Sequence, residues 1–228
     1  MRRSASWLCL VLLGCGAQRI APSAFASDRP LSGEAAGPLV VTREGAVTRT
    51  RQIHVGVGGV LLDGQAVAGV GIGGQIQRDD QIVLSADGET PFSNVNEVLS
   101  ELLARNKLVI GVAVAGAVQQ VELGRGYLRP PHEPALLIMI VTTGIGLKAP
   151  GGNVAPGCQA PGGGIAIPRT GQVQNYAAAS ACISRVKAAS GVWRYYMAAD
   201  AQIPFREVDA TVSALNSGGG QLVGIRVF

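Results

Sequence analysis

"SADGETPFSNVNEVLSELL" at residues 85–103 and "AADAQIPFREVDATVSALN" at residues 198–216 are written in one pattern, and how that pattern is read decides the fold. A shift of 113 residues aligns the 34-residue windows 81–114 and 194–227 without a gap, with nine identities. Ala86, Asp87, Pro91, Phe92, Val95, Ser100, Leu102, Gly111 and Val114 recur as Ala199, Asp200, Pro204, Phe205, Val208, Ser213, Leu215, Gly224 and Val227. The substitutions between them keep the physical pattern. Each copy opens on an extended run, "QIVLSAD" or "WRYYMAAD", that predicts a strand. A three-residue turn follows the aspartate, and Pro91 or Pro204 suits the first position of a helix, where its fixed φ is helical and its missing N–H is not needed. Apolar residues then fall at Phe92, Val95, Leu99 and Leu102, and at Phe205, Val208, Val212 and Leu215, which is one buried helical face. Asn106, or the run from Gly218 to Gly220, ends the helix, and "LVIGVAV" or "LVGIRVF" predicts a closing strand. Parallel pairing of the two strands would bury the helix face and the sheet face together.

Working outward, "ALLIMIVTTG" from Ala135 and "GIAIP" from Gly164 read as strands and "YAAASACISRVKAA" from Tyr176 as a helix. The second half is therefore expected to be β-β-α-β-α-β. In the first half "PLVVT" from Pro38, "IHVGVG" from Ile53 and "VLLDGQAV" from Val60 read as strands, but no helix is evident between Gly69 and Asp80, so this copy is expected to be degenerate. The fold class is α/β, in two-layer α+β form, as two small domains at 38–127 and 128–228. The Gly- and Pro-rich segment 148–172 is expected as an insertion in the second.

Composition bounds what such a chain can do. With 47% apolar residues but only 4% aromatic and 32 glycines, the core must be built from Val, Leu, Ile and Ala with many tight turns. The net charge of +4 falls to +2 without Arg2 and Arg3, too little for a nucleic-acid footprint. Those arginines belong to a basic start followed by a short apolar run from Trp7 to Leu13, the pattern of an export signal. The run is far short of the roughly 20 residues that cross a bilayer, and no later stretch reaches that length.

Two cleavage sites fit. Leu12-Leu13-Gly14-Cys15 resembles the lipobox of bacterial lipoproteins, which implies lipidation of Cys15 after removal of the preceding residues; Ala24-Phe25-Ala26 fits ordinary signal peptidase. The apolar run stops directly at Cys15, which favours the first, with residues 1–15 as signal segment and 16–37 as a flexible tether behind the lipid. Gly16 after the cysteine, rather than Asp, is by lipoprotein resemblance an outer-membrane mark, and the expected address is the periplasm or envelope. The body then retains Cys158 and Cys182, either as a disulfide, which an oxidising compartment permits, or as two separate thiols.

This arrangement resembles the periplasmic domain of the ExbD/TolR family of biopolymer transport proteins, carried by Ala86-Asp87 with Pro91-Phe92-Val95 and by Ala199-Asp200 with Pro204-Phe205-Val208. The resemblance covers about 90 residues of each half and is strongest in the repeated windows. It implies noncatalytic α/β domains in tandem, partners of the ExbB/TolQ or ExbD/TolR type, and contact with peptidoglycan; peptidoglycan binding without a motor partner is the alternative it leaves. Family members carry an amino-terminal transmembrane helix with a proton-carrying aspartate, where this chain is expected to have only a cleavable signal, so no proton-carrying residue transfers to it. Asp87 and Asp200 are expected to accept turn N–H groups with their carboxylates ahead of the helix.

No other motif carries chemistry. Gly69 to Gly74 matches G-x-G-x-x-G but is followed by "QIQRDD" rather than an apolar helix, so it is not read as a nucleotide loop. His54 and His132 stand alone, without cysteines or carboxylates at ligand spacing, and neither a metal nor a cofactor is expected. No nucleophile elbow or Cys-His pair appears, and no enzymatic activity is expected.

Overall fold

A computed structural model describes residues 41–43, 46–126, 134–148, 158 and 165–228. Residues 35–228 form one compact unit. Cys15, the tether 16–37 and His132 lie outside the described residues, as does most of the insertion. The unit is a mixed α/β structure with one large mixed sheet and, among the described residues, three α-helices.

The repeated windows form the same unit twice. In the first copy β6 (Gln81–Ala86) leads through a turn into α1 (Phe92–Ala104) and back to β7 (Val109–Val114). In the second, β12 (Arg194–Ala199), α3 (Phe205–Ser217) and β13 (Gln221–Val227) repeat it. Both strand pairs are parallel. The helix faces are the predicted ones: Phe92, Val95, Leu99 and Leu102 are buried with Val98, and Phe205, Val208, Val212 and Leu215 with Thr211. At about 1.5–3 kcal/mol for each large apolar side chain removed from water, these stripes are what holds the helices to the sheet. Asn106, at φ 58°, ends α1 in the left-handed region, which asparagine tolerates better than most residues.

Outside each unit the strand order is also repeated. β3 (Thr50–Gly56) lies parallel to β6 and turns back into β4 (Gly59–Leu62) and β5 (Gln65–Val67), while β9 (Leu136–Val141), parallel to β12, turns back into β10 (Gly144–Lys148) and β11 (Ile165–Pro168). β8 (Ala117–Arg125) is the seam, antiparallel to β7 and parallel to β13. The 11-stranded order β11-β10-β9-β12-β13-β8-β7-β6-β3-β4-β5 therefore reads outward from β8 in the same sense on both sides. A short hairpin of β1 (Val41–Arg43) and β2 (Ala46–Thr48) precedes it.

Three elements depart from expectation. "VLLDGQAV" is two strands, because Asp63 and Gly64 both take positive φ, 51° and 81°, and close a two-residue hairpin. "GIGLK" is a strand, β10, so the second copy is β-β-β-α-β-α-β; its two glycines lower strand propensity, yet Ile145 and Leu147 bury on the helix side. "AVQQVELGR", β8, mixes polar with apolar residues and buries only Val121 and Leu123.

The stretch between β5 and β6 is a seven-residue 3-10 helix, Gly69–Gln75, with Ile72 buried beneath it. Its counterpart between β11 and β12 is a full helix, α2 (Tyr176–Ser190), capped by the Asn175 side chain accepting the Ala178 N–H at 3.1 Å and packed through Ala179, Cys182, Ile183 and Val186. A disulfide joins Cys182 to Cys158, with Cα atoms 5.7 Å apart, and so ties the β10–β11 connection to α2.

Candidate functional site

Asp87, Pro91 and Phe92 come together with Asp200, Pro204 and Phe205 at one junction, where the two helices meet at their amino ends. Each helix begins one residue later than the prolines suggested. Pro91 and Pro204 are extended cap residues, at ψ 141° and 145°, because they pair with each other in an antiparallel bridge. Neither supplies a side-chain cap, and the first N–H groups of each helix go to main-chain carbonyls of the other copy. Phe92 donates to Ile203 at 2.8 Å and Ser93 to Ala201 at 2.9 Å; Phe205 donates to Thr90 at 2.8 Å and Arg206 to Gly88 at 2.9 Å. Under the 113-residue shift these four bonds map onto one another. Orphan helix donors, usually met by a Ser, Asp or water, are thus met by a second copy of the same turn.

The aspartates act differently from expectation. The turn N–H groups of Thr90 and Ile203 are taken, each at 3.0 Å, by the main-chain carbonyls of Asp87 and Asp200 rather than by their carboxylates. This leaves the Asp87 carboxylate for His54, whose Nε2 lies 3.1 Å from Oδ1, while His54 Nδ1 lies 3.0 Å from Ser85 Oγ. Parallel β3 and β6 set this row by register, with His54 directly opposite Ser85. It borders a shallow hollow of about 330 Å³ between the row and the β3–β4 hairpin, with Leu61 and Val67 on its far side. An imidazole between a hydroxyl and a carboxylate can accept the hydroxyl proton on one nitrogen while the other is held by the acid. The row is solvated, with the His54 and Asp87 side chains 40% and 57% exposed, so the contact is worth about 0.2–1 kcal/mol. In the second copy Met139 faces Ala198 at the matching positions, and the row is not repeated.

Two further polar groups escape a sequence reading. Tyr196 donates to Glu122 Oε2 at 3.1 Å across β13, with the Arg226 guanidinium 4.1 Å from its ring centre. Burial pushes its hydroxyl pKa up, and the Glu122 charge adds to this against the opposing pull of Arg226 and Arg194. Gly224 makes the arrangement possible, since a Cβ there would stand 2.4 Å from the Tyr196 ring. Lys107 is buried, donating from Nζ to the carbonyls of Arg78 and Asp80; burial lowers its pKa, partly offset by Asp80 and Asp79.

Gly69 to Gly74 lie within the 3-10 helix, not in a strand–turn–helix phosphate loop. Among the described residues no group of three metal-ligating side chains converges, and no helix is long and apolar enough to cross a membrane. No family model, curated protein or solved structure matches the chain.

Proposed function

We propose that the chain is an exported, noncatalytic component of an ExbD/TolR-type envelope transport or motor complex, held at the membrane through lipidated Cys15, with two ExbD/TolR-like units in tandem and an ExbB/TolQ- or ExbD/TolR-type partner. The observation that carries this reading is the reciprocal junction: two copies of a strand–turn–helix–strand unit cap each other's helices. A tandem chain makes that pairing permanent by fixing the partner's effective concentration. A scaffold that must transmit load through a pair of like units gains from exactly such a built-in pair, and the reading needs no cofactor.

Crosslinking of the full-length protein in intact envelopes, followed by mass spectrometry, tests it. Recovery of ExbB- or TolQ-type subunits, with Cys15 carrying lipid, is the expected result. Retention on purified peptidoglycan sacculi without those subunits would replace it with a glycan-binding lipoprotein. Recovery of neither, from envelopes in which the protein is abundant, sinks both.

A further inference from the structure

Ile53, Val55 and Leu84 point into the core, so His54 and Ser85 stand on the other face of the sheet, where β3 and β6 set them opposite each other. Asp87 follows on the same side of β6. An ionised carboxylate only accepts hydrogen bonds, so Asp87 Oδ1, 3.1 Å from His54 Nε2, fixes the proton of a neutral imidazole on that nitrogen. Nδ1 is left with a lone pair, and the Ser85 hydroxyl, 3.0 Å away, donates to it. The competing acceptor, the Ile53 carbonyl, lies 3.5 Å from Ser85 Oγ, at the far limit of a hydrogen bond. Gly56 makes room for the carboxylate, since a Cβ there would stand 3.0 Å from Asp87 Oδ2. Ser85 and His54 are half-buried and Asp87 is exposed, so a small solute reaches the row from outside.

We infer that Ser85 is a site of covalent acylation, taking one acyl group from an activated donor, a thioester or an ester of an acidic alcohol. Ser85 Oγ attacks the donor carbonyl while His54 Nδ1 takes the hydroxyl proton, and Asp87 positions the ring and steadies the imidazolium. The new bond joins Oγ to the acyl carbon, the bond from that carbon to the leaving thiol or alcohol breaks, and the imidazolium returns its proton to the leaving group. The adduct then stays. β6 is an inner strand, held by β3 on one side and β7 on the other, so the Ser85 amide belongs to the ladder and is not free to hold an oxyanion. An activated donor reacts without that help because its leaving group is weakly basic. The serine ester that results is an ordinary alkyl ester, whose hydrolysis needs it. Only the first copy carries the row, since Met139 and Ala198 stand at the matching positions of the second, so one group per chain is expected.

The site is independent of the envelope role proposed above, and its failure leaves that role standing; a chain that is acylated once and does not turn over is still noncatalytic. The test is incubation of the full-length, disulfide-bonded protein with p-nitrophenyl acetate, with acetyl groups placed by peptide fragmentation and nitrophenolate followed by absorbance. Ser93 is the internal control, being exposed on α1 with its hydroxyl directed to Asn94 rather than to an imidazole. Ser85 should be acetylated at least about tenfold faster than Ser93, a modest share of what a positioned general base supplies. His54→Met should bring Ser85 down to the rate of Ser93. Asp87→Asn should slow it several-fold, and Asp87→Glu, which restores a carboxylate, should recover part of the rate. Nitrophenolate released by the wild type beyond that released by Ser85→Ala should stop at one equivalent. Acetylation of Ser85 no faster than of Ser93, an undiminished rate in His54→Met, or an excess that runs on past one equivalent would each overturn the inference.

Discussion

The amino end of α1 is held by carbonyls from the second copy and that of α3 by carbonyls from the first, yet the two helices sit in different company. Beside α1 the chain spends seven residues on a 3-10 helix; beside α3 it builds α2, caps it and bolts it through a disulfide. Where the first copy joins β4 to β5 with the two residues Asp63 and Gly64, the second inserts the long segment that carries Cys158. The comparison separates what the fold requires from what each copy adds. The inner unit and the junction are kept in duplicate, because each copy's helix start depends on the other's turn. The flanks are free to diverge, since they close only their own edge of the sheet.

The junction can be broken most directly at its two phenylalanines, which are 1% and 5% exposed. Phe92→Ala and Phe205→Ala should each cost about 3–5 kcal/mol in urea unfolding, the usual range for a buried ring removed. If the junction couples the copies, the double variant should depart from the sum by about 0.5–3 kcal/mol. Additivity within error would show that the copies fold as neighbours without depending on each other.

The flanks should differ more sharply under reduction. The bond closes a separation of 24 residues, for which chain entropy gives about 3 kcal/mol. Cys158→Ser with Cys182→Ser should remove about that much, with hydrogen exchange rising first in α2 and not in the 3-10 helix of the first copy. Loss of protection in both flanks together would contradict their independence.

The contrast also extends to a buried hydroxyl that only the second copy has. Tyr195 is fully buried and donates to Asn216 Oδ1 at 2.9 Å, at a position where the first copy has Ile82. Burial raises its pKa above the ordinary 10.0. Its contribution is therefore complete below pH 10 and is lost as pH climbs toward the raised folded value, because the unfolded chain releases the proton first. Lys107, with a lowered pKa, works in the opposite sense up to its ordinary 10.5, so the clean window lies above that. There the wild type should lose about 1.4 kcal/mol per pH unit more than Tyr195→Phe. Parallel pH profiles for the two proteins would mean that the hydroxyl does not govern the alkaline limit.

How much of this is legible in the sequence follows from what kind of contact each feature uses. The helix stripes from Phe92 and Phe205 repeat at helical spacing, and the strands around them are rich in Val and Ile or, in β12, carry two tyrosines, so the inner units can be read directly. The junction leaves no such mark, because its hydrogen bonds are made by main-chain carbonyls of Gly88, Thr90, Ala201 and Ile203, and a main-chain acceptor has no residue type of its own. The prolines point to the helix starts but sit one position earlier than their preference for the first turn implies, since they are paired with each other. β8 escapes because a seam strand with polar residues on one side buries too few apolar positions to show alternation. His54 reads as a solitary histidine until the parallel register of β3 and β6 supplies Ser85.

The smallest expected effect gives the finest test of the comparison. His54→Met converts the first copy's position to the residue that the second copy has at Met139, removing the contacts to Ser85 and Asp87. Because the row is solvated, the loss in urea midpoint should correspond to about 0.2–1 kcal/mol with an unchanged slope. Its location should be more telling than its size. Asp87 leads the turn whose Gly88 and Thr90 carbonyls hold the amides of Arg206 and Phe205, so loosening that turn should speed exchange at those two amides in the second copy. The amides of Phe92 and Ser93, held by Ile203 and Ala201, should be unaffected. The reverse exchange, Met139→His, should not rebuild the full row, since Ala198 opposite it offers no hydroxyl. Equal acceleration at both helix starts would show that the junction loosens as one body, and that the histidine row steadies the whole of it rather than one side.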